Sequence, residues 1–228
     1  KFVQKFYEQV ADNGFISTKI ENAYFCEKCK LFLPDRFIMG TCPHCESDRA
    51  RGDQCDDCGK ILEPNELILP KCKQCGSSPI EKETKHWYLD FGKTEEGIRE
   101  FVENNEYLPT NARTASLNFL KEGLPQRAVT RDLDWGIPAP FEGADEKTIY
   151  VWFEAVLGYI SAVKEWAEKL QKTPSLFQQY WNDPETKTVF FIGKDNIIFH
   201  LIIFPGLLVS YNKGLPKDAQ FVMPYNVS

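Results

Sequence analysis

Phe2, Val3, Phe6, Tyr7 and Val10 recur at helical spacing ahead of Asn13-Gly14, so the pattern predicts an amphipathic helix over residues 1–13. His86-Trp87-Tyr88-Leu89-Asp90-Phe91 reads as a short strand. Helices are predicted over Thr94–Asn104 and Thr110–Glu122, the second stopped by Gly123 and Pro125. A passage punctuated by proline and glycine, from Leu124 to Gly143, reads as a junction. Beyond it the pattern changes character. Lys147–Phe153 reads as a strand, and Glu154–Lys172 as a helix with Ile160, Val163 and Trp166 inward. Thr186–Ile192 reads as a strand, Asp195–Ser210 as an almost wholly apolar helix, and Ala219–Met223 as a third strand. That alternation predicts a parallel sheet with right-handed crossovers. Three strands cannot bury so apolar a helix, so the remaining strands are expected upstream. The fold class expected is α/β: the second half of a doubly wound Rossmann-type domain.

The 228 residues suit one large or two modest domains. With 43% hydrophobic and 26% charged residues, the composition is that of an ordinary globular protein, which excludes disorder and collagen-like order. The longest apolar stretch, Ile197–Val209, contains His200 and Pro205 and falls short of the roughly 20 residues a bilayer span needs. No basic segment followed by an apolar run opens the chain, which starts Lys-Phe-Val-Gln; an intracellular, cytoplasmic excerpt of a longer protein is expected. A net charge of −6 argues against a surface coated for nucleic acid, although a local basic patch is compatible with it.

All eight cysteines lie between residues 26 and 75, in four Cys-x-x-Cys pairs: Cys26/Cys29, Cys42/Cys45, Cys55/Cys58 and Cys72/Cys75. Two-residue spacing lets both thiolates of a tight turn face one ion, and two such turns complete a tetrahedral shell, so eight ligands hold two zinc ions. Gly59 and Gly76, just after two of the pairs, suit knuckles that need positive φ. Disulfides are disfavoured without secretory features, and iron–sulfur clusters more often recruit an isolated distant cysteine. The first two pairs are separated by twelve residues and the last two by thirteen, and Leu33-Pro34-Asp35 echoes Glu63-Pro64-Asn65, which points to a duplicated ribbon. Each copy could hold its own ion, or the inner pairs could share one and the outer pairs the other. A filled thiolate shell has no place for water, so the metal is structural in either case. The zinc region reads as an insertion into the nucleotide-binding fold.

Three strings taken together resemble the methionyl-tRNA synthetase family. They are Leu33-Pro34-Asp35-Arg36-Phe37-Ile38-Met39-Gly40-Thr41-Cys42-Pro43-His44-Cys45, Tyr150-Val151-Trp152-Phe153-Glu154-Ala155 with Gly158-Tyr159, and Phe191-Ile192-Gly193-Lys194-Asp195 with Phe199-His200. The resemblance spans the chain. It implies a class I Rossmann domain split by a zinc-bearing connective peptide, with residues 1–21 ending the first Rossmann half, 22–130 forming the insertion and 131–228 the second half. It implies ATP-dependent activation of methionine, with magnesium accompanying ATP, and transfer to tRNA(Met). It also implies that Cys42, Cys45, Cys55 and Cys58 hold one zinc and Cys26, Cys29, Cys72 and Cys75 the other. The family's His-x-Gly-His and Lys-Met-Ser-Lys-Ser motifs, which stabilise charge on the ATP phosphates, do not occur in these residues, so the segment alone is expected to be inactive.

The same resemblance implies a methionine pocket lined by Trp152, Ala155, Tyr159, Asn196 and His200, with Phe204 as an aromatic gate. Without it, Trp152, Ala155 and Tyr159 would read as core residues and His200 as a satisfied buried histidine. Gly193 and Asp195 are implied to meet the adenosine ribose, where a plain helix cap is the bland alternative. Arg131 is implied near ATP, where a surface salt bridge is the alternative. Lys60, Lys71, Lys73 and Lys82 could guide the tRNA acceptor end, or simply offset the dianionic thiolate cages. The rival to the enzyme reading is a zinc-ribbon module that binds nucleic acid or protein without catalysis. It requires a basic surface, and the acidic balance and the apolar last third speak against it.

Overall fold

The computed structural model describes every residue except 53, 61, 63 and 125, and every side chain of these except that at 35. Glu63 and Pro125, used above for the repeat and a helix stop, lie outside the described residues. The chain divides into two compact units, one of residues 1–17, 87–131 and 136–228, the other of residues 18–86 and 132–135.

In the larger unit, helix α1 (Phe2–Asp12) buries Val3, Phe6, Tyr7 and Val10 and ends before Gly14 at φ 79°. Strand β1 (Ile16–Cys26) leaves this unit and, after β2 (Leu31–Phe32), β3 (Ile38–Thr41), β4 (Ala50–Arg51) and β5 (Ile68–Cys72), β6 (Ile80–Leu89) returns to it. Helices α2 (Glu95–Asn104) and α3 (Thr110–Lys121) match the pattern read from the sequence. Strand β7 (Arg127–Ala128) pairs antiparallel with Tyr88 and Leu89, and β8 (Thr130–Arg131) pairs antiparallel with β9 (Thr148–Ile149). Helix α4 (Val151–Glu165) continues through a π turn, Trp166–Leu170; α5 (Leu176–Trp181) follows. Strand β10 (Val189–Phe190) pairs parallel with β11 (Asn226–Val227), joined through the helical residues 194–212. Helix α6 (Phe204–Asn212) closes that crossover and buries Phe204, Leu207 and Leu208.

The three-stranded parallel sheet expected for the last third is corrected in two places. Residues 151–153 are helical, because Phe153, Val156, Leu157 and Ile160 form one buried stripe at helical spacing and the Tyr150 carbonyl accepts the amides of Phe153 and Glu154. Strand β9 is therefore short and joins β8, not β10. Residues 219–223 form no strand: the Phe221 amide donates to Asn212 Oδ1 and the Val222 amide to the Trp181 carbonyl, so these backbone donors are satisfied outside a ladder. The parallel pairing of the last third is that of β10 with β11.

In the smaller unit β4, β3 and β5 form one antiparallel sheet, and β2, β1 and β6 are neighbours in that order. Its apolar cluster consists of Leu33, Ile38, Ala50, Leu62 and Leu67 with the buried Cys26, Cys42, Cys55 and Cys72. Asp132 lies against β6, its carboxylate 2.9 Å from His86 Nε2 and accepting the Thr84 hydroxyl at 3.0 Å.

Candidate functional site

Each Cys-x-x-Cys pair folds into a tight turn whose next residue takes left-handed backbone. Lys30, Glu46, Gly59 and Gly76 have φ of 56°, 58°, 71° and 72°. The reversal lets the amides of Glu46, Gly59 and Gly76 donate to the carbonyls of Cys42, Cys55 and Cys72 and aims both sulfurs to one side. The turns then pair across the repeat and not within each copy. Cys42, Cys45, Cys55 and Cys58 make one group and Cys26, Cys29, Cys72 and Cys75 the other, all sulfurs within 4.8 Å in each. The closest approaches are 3.5 Å for Cys26–Cys75, 3.9 Å for Cys29–Cys72, 3.8 Å for Cys42–Cys58 and 3.6 Å for Cys45–Cys55. A disulfide requires about 2.05 Å, whereas four sulfurs about 2.3 Å from one tetrahedral zinc stand about 3.8 Å apart. Eight soft donors in two such groups fit two zinc ions. Donors from the Ser77 hydroxyl and amide bring the Cys75 thiol down to about 6 and the Cys58 amide lowers that of Cys55, while Cys29 and Cys45, crowded by the neighbouring sulfurs of their groups, rise to about 12.

In the larger unit, helix α4 displays Trp152 and Ala155 in its first turns and Tyr159 two turns beyond Trp152 on the same face. Trp152 and Tyr159 are each 40% exposed, so this face is open and not core. Opposite them runs the segment 194–212. Pro205 has no N–H for the Leu201 carbonyl and crowds it, and the helix widens into a π turn, Phe199–Ile203, just ahead of it. That turn carries Phe199, stacked on Trp152 at 4.4 Å between ring centres, and the buried His200. His200 Nδ1 lies 2.9 Å from the Asn196 carbonyl, which can only accept, so Nδ1 holds the proton. Nε2 is then bare and accepts the Tyr159 hydroxyl at 3.0 Å. Burial pushes the imidazole below its ordinary 6.5, and the ring is neutral near pH 7. Phe190, on β10, completes the aromatic wall 4.8 Å from Tyr159 and 5.2 Å from His200.

Residues 1–226 match the model of the tRNA synthetases class I (M) family. The chain belongs to that family. It is 56% identical to a methionine–tRNA ligase of Pyrobaculum aerophilum over 98% of this chain and 38% of the relative. Against the methionine–tRNA ligase of Pyrobaculum islandicum the identity is 57% over 94% of this chain and 37% of the relative. The chain thus spans less than two-fifths of these curated relatives. A crystal structure of Mycobacterium tuberculosis methionyl-tRNA synthetase bound by methionyl-adenylate superposes with a TM-score of 0.59 at 17% identity, covering 99% of this chain and 37% of that one; the class I fold is shared.

In this class I synthetase chain the residues singled out from the sequence fall into separate places. Tyr159, His200 and Asn196 are brought together, Asn196 through its main-chain carbonyl, while its side chain is half-buried. Trp152 sits in the first turn of α4 and not at the end of a strand. Phe204, on α6, is buried and meets Phe190 edge to face at 6.0 Å. Gly193 is extended at φ −71°, and a side chain there would meet nothing within 4 Å among the described residues. Asp195 is exposed in a short 3-10 turn whose N-cap is Gly193. Arg131 donates to the carbonyls of Ala128 and Thr130 and lays its guanidinium 3.8 Å over the Tyr150 ring. Sequence reasoning assigned no site role to Phe190, Phe199 or Glu154, although Phe199 and Glu154 stand in the strings quoted above. The first two stand next to recognised residues, and their aromatic character was the available signal. Glu154 has a buried oxygen with no partner among the described residues, and burial raises its carboxyl above the usual range. No helix among the described residues is long and apolar enough to cross a membrane.

Proposed function

We propose that the chain is the middle part of a methionine–tRNA ligase, a cytoplasmic enzyme that activates methionine with ATP and passes it to the 3′ end of tRNA(Met). The carrying observation is the neutral Tyr159–His200 pair set in an open aromatic wall, in a chain of this family. Methionine places its unbranched thioether between Trp152 and Tyr159, with Ala155 leaving room and Asn196 and His200 at the far end. Each aromatic contact to sulfur contributes about 0.3–1.5 kcal/mol. His200 fixes the Tyr159 hydroxyl and transfers no proton, because adenylation is an in-line displacement that needs positioning and charge stabilisation. Gly193 and Asp195 receive the ribose. Arg131, steadied by Tyr150, stands toward the phosphates of magnesium-bound ATP.

Zinc ions held by Cys42, Cys45, Cys55 and Cys58, and by Cys26, Cys29, Cys72 and Cys75, fasten the smaller unit and supply no Lewis-acid chemistry, because four thiolates close the shell. Residues 1–21 end the first Rossmann half, 22–130 form the connective peptide and 131–228 form the second half. Methionine-dependent exchange of pyrophosphate into ATP tests the assignment. The full-length protein is expected to catalyse it and to contain two zinc ions per chain, and residues 1–228 alone are expected to be inactive. Full-length protein without exchange would refute the reading.

A further inference from the structure

The two thiolate groups have the same internal geometry, with closest sulfur–sulfur distances of 3.5–3.9 Å in one and 3.6–3.8 Å in the other. They differ in cover. In each, the first cysteine of both pairs is buried. In the outer group the second ones, Cys29 and Cys75, are half-buried and pack with Tyr24 and Leu31 against the apolar cluster of the smaller unit. Beside that group Phe25 and Phe32 pack edge to face at 5.1 Å, with the Lys82 ammonium 4.5 Å over the Phe25 ring. In the inner group the second ones, Cys45 and Cys58, are exposed. Each exposed sulfur also has a buried one within reach: Cys45 is 3.6 Å from Cys55, and Cys58 is 3.8 Å from Cys42.

We propose that the inner cage is an oxidant-sensitive site, where Cys45 and Cys58 are the points of attack and the buried Cys55 and Cys42 are their resolving partners. This rests on the zinc reading above. A zinc-bound thiolate stays nucleophilic, and reactivity then follows solvent access. Hydrogen peroxide accepts the electron pair of the Cys45 thiolate: the O–O bond breaks, an S–O bond forms and hydroxide leaves, giving a sulfenic acid. The Cys55 thiolate attacks that sulfur, an S–S bond forms and a second hydroxide departs. Two thiolates and one peroxide thus become one disulfide and two hydroxide ions, each sulfur oxidised by one electron and the peroxide reduced by two. Closing 3.6 Å to about 2.05 Å is a short movement within a turn already shaped for both sulfurs. Two ligands remain, too few to retain the ion. The outer cage, with the same chemistry under apolar cover, keeps its ion longer.

The test uses the full-length enzyme loaded with zinc and treated with hydrogen peroxide. Released zinc is followed with a chromogenic chelator, and oxidised cysteines are mapped by differential alkylation and mass spectrometry. The expected result is one zinc per chain released at least about tenfold faster than the second, with Cys45–Cys55 or Cys42–Cys58 disulfides in the first phase. Simultaneous release, or oxidation of Cys26, Cys29, Cys72 and Cys75 first, would overturn the proposal. Should the purified enzyme contain no zinc, the zinc reading fails separately, and iodoacetamide then decides on accessibility alone. Alkylation of Cys45 and Cys58 ahead of the other six supports the exposure argument, and uniform alkylation overturns it.

Discussion

Replacing Gly76 by Ala isolates the backbone term of the knuckles. Gly76 has φ 72°, and a Cβ there would meet nothing within 4 Å among the described residues, so the substitution changes conformational preference and little else. Left-handed backbone costs an L-residue about 1–2 kcal/mol. Alanine recovers about 0.4–1 kcal/mol by stiffening the unfolded chain. The net loss is about 1 kcal/mol, or roughly fivefold in an equilibrium constant. Lys30, in the same cage, already occupies that region at φ 56°, so Lys30→Gly is expected to act with the opposite sign and a similar or smaller size. Because metal binding and folding of a small thiolate unit are coupled, both changes appear as zinc affinity. Competition against a chelating dye at fixed pH measures it. Gly76→Ala should bind about fivefold more weakly and Lys30→Gly somewhat more tightly. Equal affinities, or a loss for Lys30→Gly equal to that for Gly76→Ala, would refute the argument. Gly40→Ala serves as a contrast: its Cβ would lie 2.8 Å from the Ile68 carbonyl oxygen, a backbone atom, so it should cost more for a steric reason.

Chelation of zinc should open the smaller unit, because four of the nine buried hydrophobic residues described in its cluster are cysteines; limited proteolysis should then cut within residues 18–86, and an unchanged digestion pattern would contradict this. His200 makes stability depend on pH. Its folded value lies below the ordinary 6.5, so the unfolded chain binds the extra proton first, and stability is full above 6.5 and declines as pH falls toward the folded value. Denaturant titrations of wild type and His200→Gln should differ in slope in that acid range, and parallel curves would count against the neutral tautomer. Gly206→Ala should destabilise the larger unit by about 1–3 kcal/mol, since its Cβ would stand 2.9 Å from the Phe91 ring; an unchanged thermal midpoint would show that this contact yields.

The parts of the fold legible in the sequence are those carried by local pattern: α1 from its buried stripe, α2 and α3 from their periodicity, and the thiolate turns from Cys-x-x-Cys spacing. Where tertiary contacts compete with pattern, the reading failed. Tyr150-Val151-Trp152-Phe153 has strand-like composition, but the buried spacing of Phe153 with Val156, Leu157 and Ile160 draws it into α4. Phe221-Val222-Met223 is apolar enough for a strand, yet Phe221 is spent on stacking against Tyr211 at 4.9 Å, and the parallel pairing falls instead at Asn226-Val227. Left-handed Gly59 and Gly76 were legible because glycine advertises them. Lys30 and Glu46 were not, because nothing local marks an L-residue held in that region by the turn around it. The His200 tautomer was equally out of reach, because it depends on which acceptor the π turn brings to Nδ1.

Calorimetric titration of the full-length enzyme with methionine, comparing wild type with Trp152→Ala, bears most directly on the aromatic wall as the amino-acid site. Loss of one sulfur–aromatic contact and of partial apolar cover should weaken binding about tenfold, near 1.4 kcal/mol. Equal affinity in the two proteins would return Trp152 to a packing role beside Phe199 and contradict the assignment of methionine to this face.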